Sequence, residues 1–175
     1  MSTVIGIVNS GKVLIGADSY ATNSDGEKRR IKCKKIFING PYLIGYIGSI
    51  RSGQVLKPEY FKPPKNIFDF PDKMIEQFEK NGCLGRNSET GIYLMESNFL
   101  IGTSNGKLFE ILVDFQMSEI KDYTCIGSGS SYAFGSLYTT EAWKDSKKRI
   151  LTALEASGTY DMSTGPPYII EEILK

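Results

Sequence analysis

Apolar and polar positions follow a strand-like pattern over most of this chain and a helical one over three stretches. Residues 3–8 (TVIGIV) and 12–18 (KVLIGAD) are apolar, β-branched runs separated by the turn signal Asn9-Ser10-Gly11. Runs of this kind bounded by turn residues read as buried strands, so the chain opens on a hairpin whose second strand ends on Asp18. Residues 23–30 (NSDGEKRR) are polar and turn-rich. Strand signals return at 35–39 (KIFIN) and 42–47 (YLIGYI), joined through Gly40-Pro41. Pro58, Pro63, Pro64 and Pro71 make an uninterrupted helix over 58–71 untenable, because proline removes a backbone donor and clashes with the preceding turn.

Beyond the prolines, Met74, Ile75 and Phe78 predict a helix over 72–80, with Asn81-Gly82 as its stop. Strand-like runs follow at 91–95, 99–102 and 108–113, with Asn105-Gly106 as a hairpin turn between the last two. A strand at 123–126 leads into Gly127-Ser128-Gly129. Residues 130–143 and 145–156 read as helices, the second with Ile150, Leu151 and Leu154 on one face, and 168–173 reads as a closing strand. Runs of strands and runs of helices, rather than strict alternation, predict an α+β layered architecture. With no internal repeat or compositional break, residues 1–175 read as one domain.

Charge and composition narrow the function classes. The net charge is +1 and no apolar run approaches a membrane span, which argues against a nucleic-acid or membrane partner. Lys28, Arg29, Arg30, Lys32, Lys34 and Lys35 form a basic run. It can be read as a solvated loop, a docking surface or a nucleic-acid patch. Cys33, Cys83 and Cys125 are odd in number and widely spaced, and no secretory signal precedes the first strand. The expectation is therefore reduced thiols and a cytoplasmic location. The chain contains no histidine, so the Ser-His-Asp and Cys-His triads and the usual zinc sites are excluded.

Any hydrolase here needs a base other than imidazole. Removal of Met1 would expose the α-amine of Ser2, whose pKa near ~8 suits it to accept the proton of its own hydroxyl. Thr3 is the rival nucleophile. Four further features carry candidate chemistry, each with a plainer reading beside it. Asp18, ending the second strand, caps a turn in its plainest reading. Gly48, ending Gly45-Tyr46-Ile47-Gly48, allows close backbone approach or merely turns the chain. Ser128 in Gly127-Ser128-Gly129 could support an active site or cap a helix. No GxxxxGK[ST] accompanies it, which leaves the phosphate-loop reading without its lysine. Asp161-Met162-Ser163-Thr164-Gly165 could be a site loop or a polar turn.

Taken in order, these motifs resemble the proteasome β-subunit family, including its HslV-type members. The likeness is strongest at the first hairpin, LIGYIG, IGSG and DMSTG, and weakest between Pro58 and Gly82. It implies a four-layer αββα sandwich of two antiparallel sheets between helix layers. It implies Ser2 as nucleophile and Asp18 as the acid orienting Lys35, with Lys34 as the alternative lysine. Gly48 N–H would be the oxyanion donor, and Ser128, Asp161 and Thr164 would support the amine. Tyr20, Thr22 and Tyr46 would line the substrate site. The resemblance requires no cofactor, and allows a structural monovalent cation near the 161–165 loop.

As partners it implies a peptide or unfolded-protein substrate, a homo-oligomeric ring or stack of rings, and a separate AAA+ ATPase. Two departures stand out: the family usually has threonine where Ser2 stands, and a long helix where the prolines lie. The alternatives are an amidase of the same mechanistic class acting on a small amide, and a catalytically inactive ring subunit. Inactive α-type subunits carry a helical extension before the first strand, whereas here the strand signal begins at residue 3.

Overall fold

The computed structural model describes residues 2–23 and 25–174. The chain begins with strands β1 (Thr3–Asn9), β2 (Lys12–Ala17), β3 (Tyr20–Thr22), β4 (Lys28–Arg30), β5 (Ile36–Asn39) and β6 (Tyr42–Gly48). Helices α1 (Ile50–Val55) and α2 (Phe70–Lys80) follow, then strands β7 (Gly85–Arg86), β8 (Tyr93–Leu94), β9 (Ser97–Thr103), β10 (Leu108–Ile111), β11 (Met117–Ile120) and β12 (Tyr123–Gly127). Helices α3 (Ser130–Thr139) and α4 (Ser146–Tyr160) and strand β13 (Ile169–Ile173) complete the fold.

The opening hairpin forms because Ser10 and Gly11 both take positive φ, 51° and 74°, the turn whose twist matches that of its flanking strands. Strand β12 pairs with the free side of β1, and β13 with the free side of β2, giving an antiparallel sheet ordered β12-β1-β2-β13. The second sheet, also antiparallel, is ordered β11-β10-β9-β6-β5.

Period-two alternation gives each sheet two apolar faces. Val4, Val13, Ile15 and Ala17 of the first sheet meet Leu43, Leu100 and Leu108 of the second. Ile5, Ile7 and Leu14 point the other way, onto Ala133 and Leu137 of α3 and Ile150, Ala153 and Leu154 of α4. On the far side of the second sheet, Tyr46, Phe99 and Ile101 pack under Val55 of α1 and Phe70, Met74 and Phe78 of α2. The result is a four-layer αββα sandwich. Close apposition of the sheets depends on Gly45: a Cβ there would lie 2.8 Å from Ile15 and 2.9 Å from Val4. Among the described residues no helix is long and apolar enough to cross a membrane.

Several boundaries differ from the sequence reading, each for a local reason. Helix α2 starts two residues earlier than predicted because Pro71 falls in its first turn, where a missing N–H costs nothing. Helix α3 stops at Thr139. Beyond it the N–H groups of Glu141 and Trp143 bond three residues back, to Tyr138 and Thr140, so the chain tightens into turns. Helix α4 continues through Ser157-Gly158 to Tyr160, since Ser157 Oγ is held by the carbonyls of Gly129 and Ala153. The predicted 91–95 strand shrinks to β8. The polar stretch read as a turn-rich loop supplies β4, paired with β3. Helix α1 and strand β11 carried no signal strong enough to be predicted.

Leu100 is fully buried between the sheets, whereas Ile38 is 50% exposed on the edge strand. Leu100→Ala should cost about 2–5 kcal/mol in chemical denaturation, and Ile38→Ala about 0.5 kcal/mol or less.

Candidate active site

The pairing of β1 with both β2 and β12 brings three chain positions to one end of the first sheet: Thr3 lies opposite Gly127, and Val4 opposite Ala17. Asp18 follows directly after β2. Its backbone N–H donates to the Thr3 carbonyl at 3.2 Å. Its carboxylate accepts the N–H groups of Thr3 and Tyr20, each at 3.0 Å. Both carboxylate oxygens are thereby aimed before any lysine arrives.

Lys35, just ahead of β5, completes the centre. Its Nζ donates to Asp18 Oδ1 at 2.7 Å, to Ser2 Oγ at 2.6 Å and to the Tyr20 carbonyl. An ammonium has three donors, and these acceptors use all of them. Ser2, Asp18 and Lys35 are all buried, at 5%, 2% and 6% exposure. Burial pushes the Lys35 pKa below the ordinary lysine value, while the Asp18 carboxylate pulls it part of the way back.

The two open alternatives separate here. Lys34 lies on the surface and pairs with Glu171 at 3.4 Å, away from Ser2 and Asp18. Thr3 is buried with its Oγ1 2.7 Å from Thr164 Oγ1, so Ser2, rather than Thr3, is the hydroxyl joined to Lys35. Met1, whose removal the chemistry requires, lies outside the described residues.

A second polar cluster abuts the first. Asp161 Oδ2 accepts from Ser128 Oγ at 2.8 Å and from Thr164 Oγ1 at 2.6 Å. Thr164 Oγ1 bridges onward to Thr3. Ser128 is not a helix cap: Gly129 holds that position, and the Ser128 hydroxyl is committed to Asp161. Gly127 has φ 109° and lies so close to the Ser2 carbonyl that a Cβ would overlap it. The sequence marks Thr3 only as a rival nucleophile and leaves its place in this network illegible.

A cavity of about 60 Å³ opens beside Ser2, lined by Tyr20, Thr22, Lys35, Tyr46 and Gly48. Gly48 ends β6 with φ 93°, where a side chain would run into the Glu96 carbonyl. Tyr46 is one wall of the cavity. Its ring stacks on Phe99 and lies flat beneath Gly53, and burial pushes its phenol pKa up. The Tyr20 ring turns elsewhere, against Gly165 and 4.2 Å from Lys28 Nζ, while its carbonyl faces Lys35. Thr22 Oγ1 is buried with no partner among the described residues. A larger cleft bounded by Arg51, Lys57 and Tyr60 touches none of these groups.

The basic run is divided among different tasks. Lys28 Nζ donates to the Thr164 carbonyl at 2.9 Å, Arg29 pairs with Glu27, Lys34 with Glu171 and Lys35 with Asp18. The loop considered for a monovalent cation is committed likewise. The Asp161 carbonyl accepts from Thr164 N, that of Gly165 from Ser19 N, and that of Thr164 from the Lys28 ammonium. At the Thr164 carbonyl an ammonium already stands where a bound cation would sit. Among the described residues no group of three or more His, Cys, Asp or Glu could hold a metal ion.

No protein-family model matches this chain. Solved structures do. BPH from Thiobacillus denitrificans, in complex with epoxomicin, superposes with a TM-score of 0.84 at 20% identity, covering 98% of each chain. Eukaryotic HslV from Trypanosoma brucei gives a TM-score of 0.72 at 17% identity over 99% of each chain. Anbu, the ancestral β-subunit from Yersinia bercovieri, gives 0.72 at 13% identity over 97% of this chain and 80% of that one. The chain has the proteasome-type N-terminal-nucleophile hydrolase fold. At these identities the likeness establishes architecture, so the chemistry has to be argued from the site itself.

The Lys35 environment makes a direct prediction. In an NMR titration of its ammonium, the midpoint should fall below the ordinary ~10.4, and Asp18→Asn should move it lower still, since the lost carboxylate is what favours the charged form. A midpoint unmoved by Asp18→Asn would contradict this account of the pair.

Proposed function

We propose that this chain is an N-terminal-nucleophile peptidase in which Ser2, exposed by removal of Met1, attacks the scissile carbonyl. The observation that carries the reading is the buried Lys35 ammonium held at once by Ser2 Oγ and Asp18. Because Lys35 donates to Oγ, the serine hydroxyl directs its own proton elsewhere, and the α-amine of the same residue is the base within reach.

In the proposed reaction Ser2 Oγ bonds to the carbonyl carbon, its proton passes to the α-amine, and the oxyanion is held by the Gly48 N–H. The C–N bond then breaks, the amine returns the proton to the leaving group, and water hydrolyses the serine ester. Lys35 steadies negative charge on Oγ. Ser128, Asp161 and Thr164 orient the amine through the backbone at Ser2 and Thr3. Thr22, which lines the cavity beside Ser2, would bind substrate backbone.

The substrate would be a peptide or an unfolded protein. The working form would be a homo-oligomer enclosing its sites, fed by a separate ATPase. The cavity beside Ser2 is small and Tyr46 lines it, so the residue preceding the cleaved bond would carry a small apolar side chain.

Intact-mass analysis with epoxomicin, the compound bound in the Thiobacillus protein, tests the assignment. The expected result is loss of Met1 and a single adduct mapping to Ser2, absent in Ser2→Ala. Retained Met1 with no adduct would overturn it. Turnover of small amides with casein left intact would instead indicate a small-molecule amidase. Tyr46→Ala should raise kcat/KM for peptides with leucine or phenylalanine at that position by about tenfold relative to alanine, on the scale of one or two buried methylenes.

A further inference from the structure

The fold's 161–165 loop and the basic hairpin meet at one side chain. Lys28 lies in β4, opposite Thr22 of β3. The base of this hairpin is pinned by the Ile31 N–H on the Ser19 carbonyl. From there Lys28 Nζ reaches the Thr164 carbonyl at 2.9 Å and lies 4.2 Å from the Tyr20 ring centroid. A Cβ on Gly165 would stand 3.2 Å from the same Nζ and overlap the Tyr20 ring, so glycine there leaves room for both. Tyr20 in turn gives its carbonyl to Lys35.

We infer that Lys28 is a tethered cation for this loop, positioning Thr164 so that its hydroxyl bridges Asp161 and Thr3. A bound monovalent ion would be held by loop carbonyls; here the Thr164 carbonyl is met by an ammonium on the same chain. Positive charge is thereby supplied permanently, and the order of the loop does not depend on sodium or potassium in the medium. Lys28 is a positioning residue, acting on the site through the Thr164 backbone. Its contact is partly solvated, so its contribution is moderate.

The inference rests on the reading of Ser2 as nucleophile only for its activity arm, and the test keeps the two apart. Wild type, Lys28→Ala and Lys28→Arg are compared by amide hydrogen exchange at Asp161 and Thr164, and by the rate of epoxomicin labelling of Ser2. Each is measured with sodium chloride, ethylammonium chloride or tetramethylammonium chloride added. Lys28→Ala should exchange faster at Thr164 and label more slowly, each by about threefold or more. Ethylammonium, which carries N–H donors, should restore both, while tetramethylammonium should not. Lys28→Arg should retain both, and wild type should ignore the added salt. Exchange in Lys28→Ala equal to wild type would overturn the inference, as would acceleration that ethylammonium fails to reverse or that tetramethylammonium reverses equally. If wild type is not labelled at all, the nucleophile reading falls, and the exchange data still decide the role of Lys28.

Discussion

The buried pair of Lys35 and Asp18 is the contact on which the arrangement of the site depends. Removing an ammonium and a carboxylate from water costs about several kcal/mol per ion, recovered only when geometry and further hydrogen bonds are good. Here they are supplied by the fold. Two backbone N–H groups converge on the carboxylate, and the ammonium has three acceptors. The backbone donors come from Thr3 and Tyr20, on either side of the β1–β2 hairpin end, so the pair also ties the hairpin to the start of β3. Ser2 is held where the chain enters the sheet, and the ammonium reaches it from just ahead of β5 of the opposite sheet.

This convergence requires the two sheets to lie close together, face to face. Small residues make that approach, with Gly45 opposite Ile15 and Val4, while the outer faces carry the larger side chains covered by helices. The site sits at one end of this stack, where strands β1, β2, β6 and β12 all terminate. Strand ends are the places in a packed sandwich where backbone N–H groups leave the ladder and can serve a ligand. The positive φ values at Gly48 and Gly127 are the local means by which the chain turns away while staying near Ser2.

The basic run shows how composition can mislead. As a string it reads as one positive surface, yet a strand reversal and a change of sheet distribute its members between a buried centre, a loop clamp and surface ion pairs. Lys34 and Lys35 make the point most sharply. They are neighbours of identical type just ahead of β5, yet one pairs with Glu171 at the surface and the other with Asp18 in the interior.

The layered α+β class, the opening hairpin and most strands were determined by the sequence itself, because alternation of apolar residues and turn chemistry at Ser10-Gly11 act locally. The absence of histidine and the order of Ser2, Asp18, Gly48, Ser128 and the 161–165 loop already pointed to one kind of chemistry. Only the tertiary structure decided which lysine joins Ser2 and that Thr3 belongs to the Asp161 network. It alone engaged the carbonyls of Asp161, Thr164 and Gly165 and set Tyr46 against the cavity. The persistence of α4 through Ser157-Gly158 and the extent of β8 were also settled there. The physical reason is common to all of these. They depend on partners up to 161 residues apart in the chain, and contacts of that range leave no periodicity or local propensity for a sequence to display.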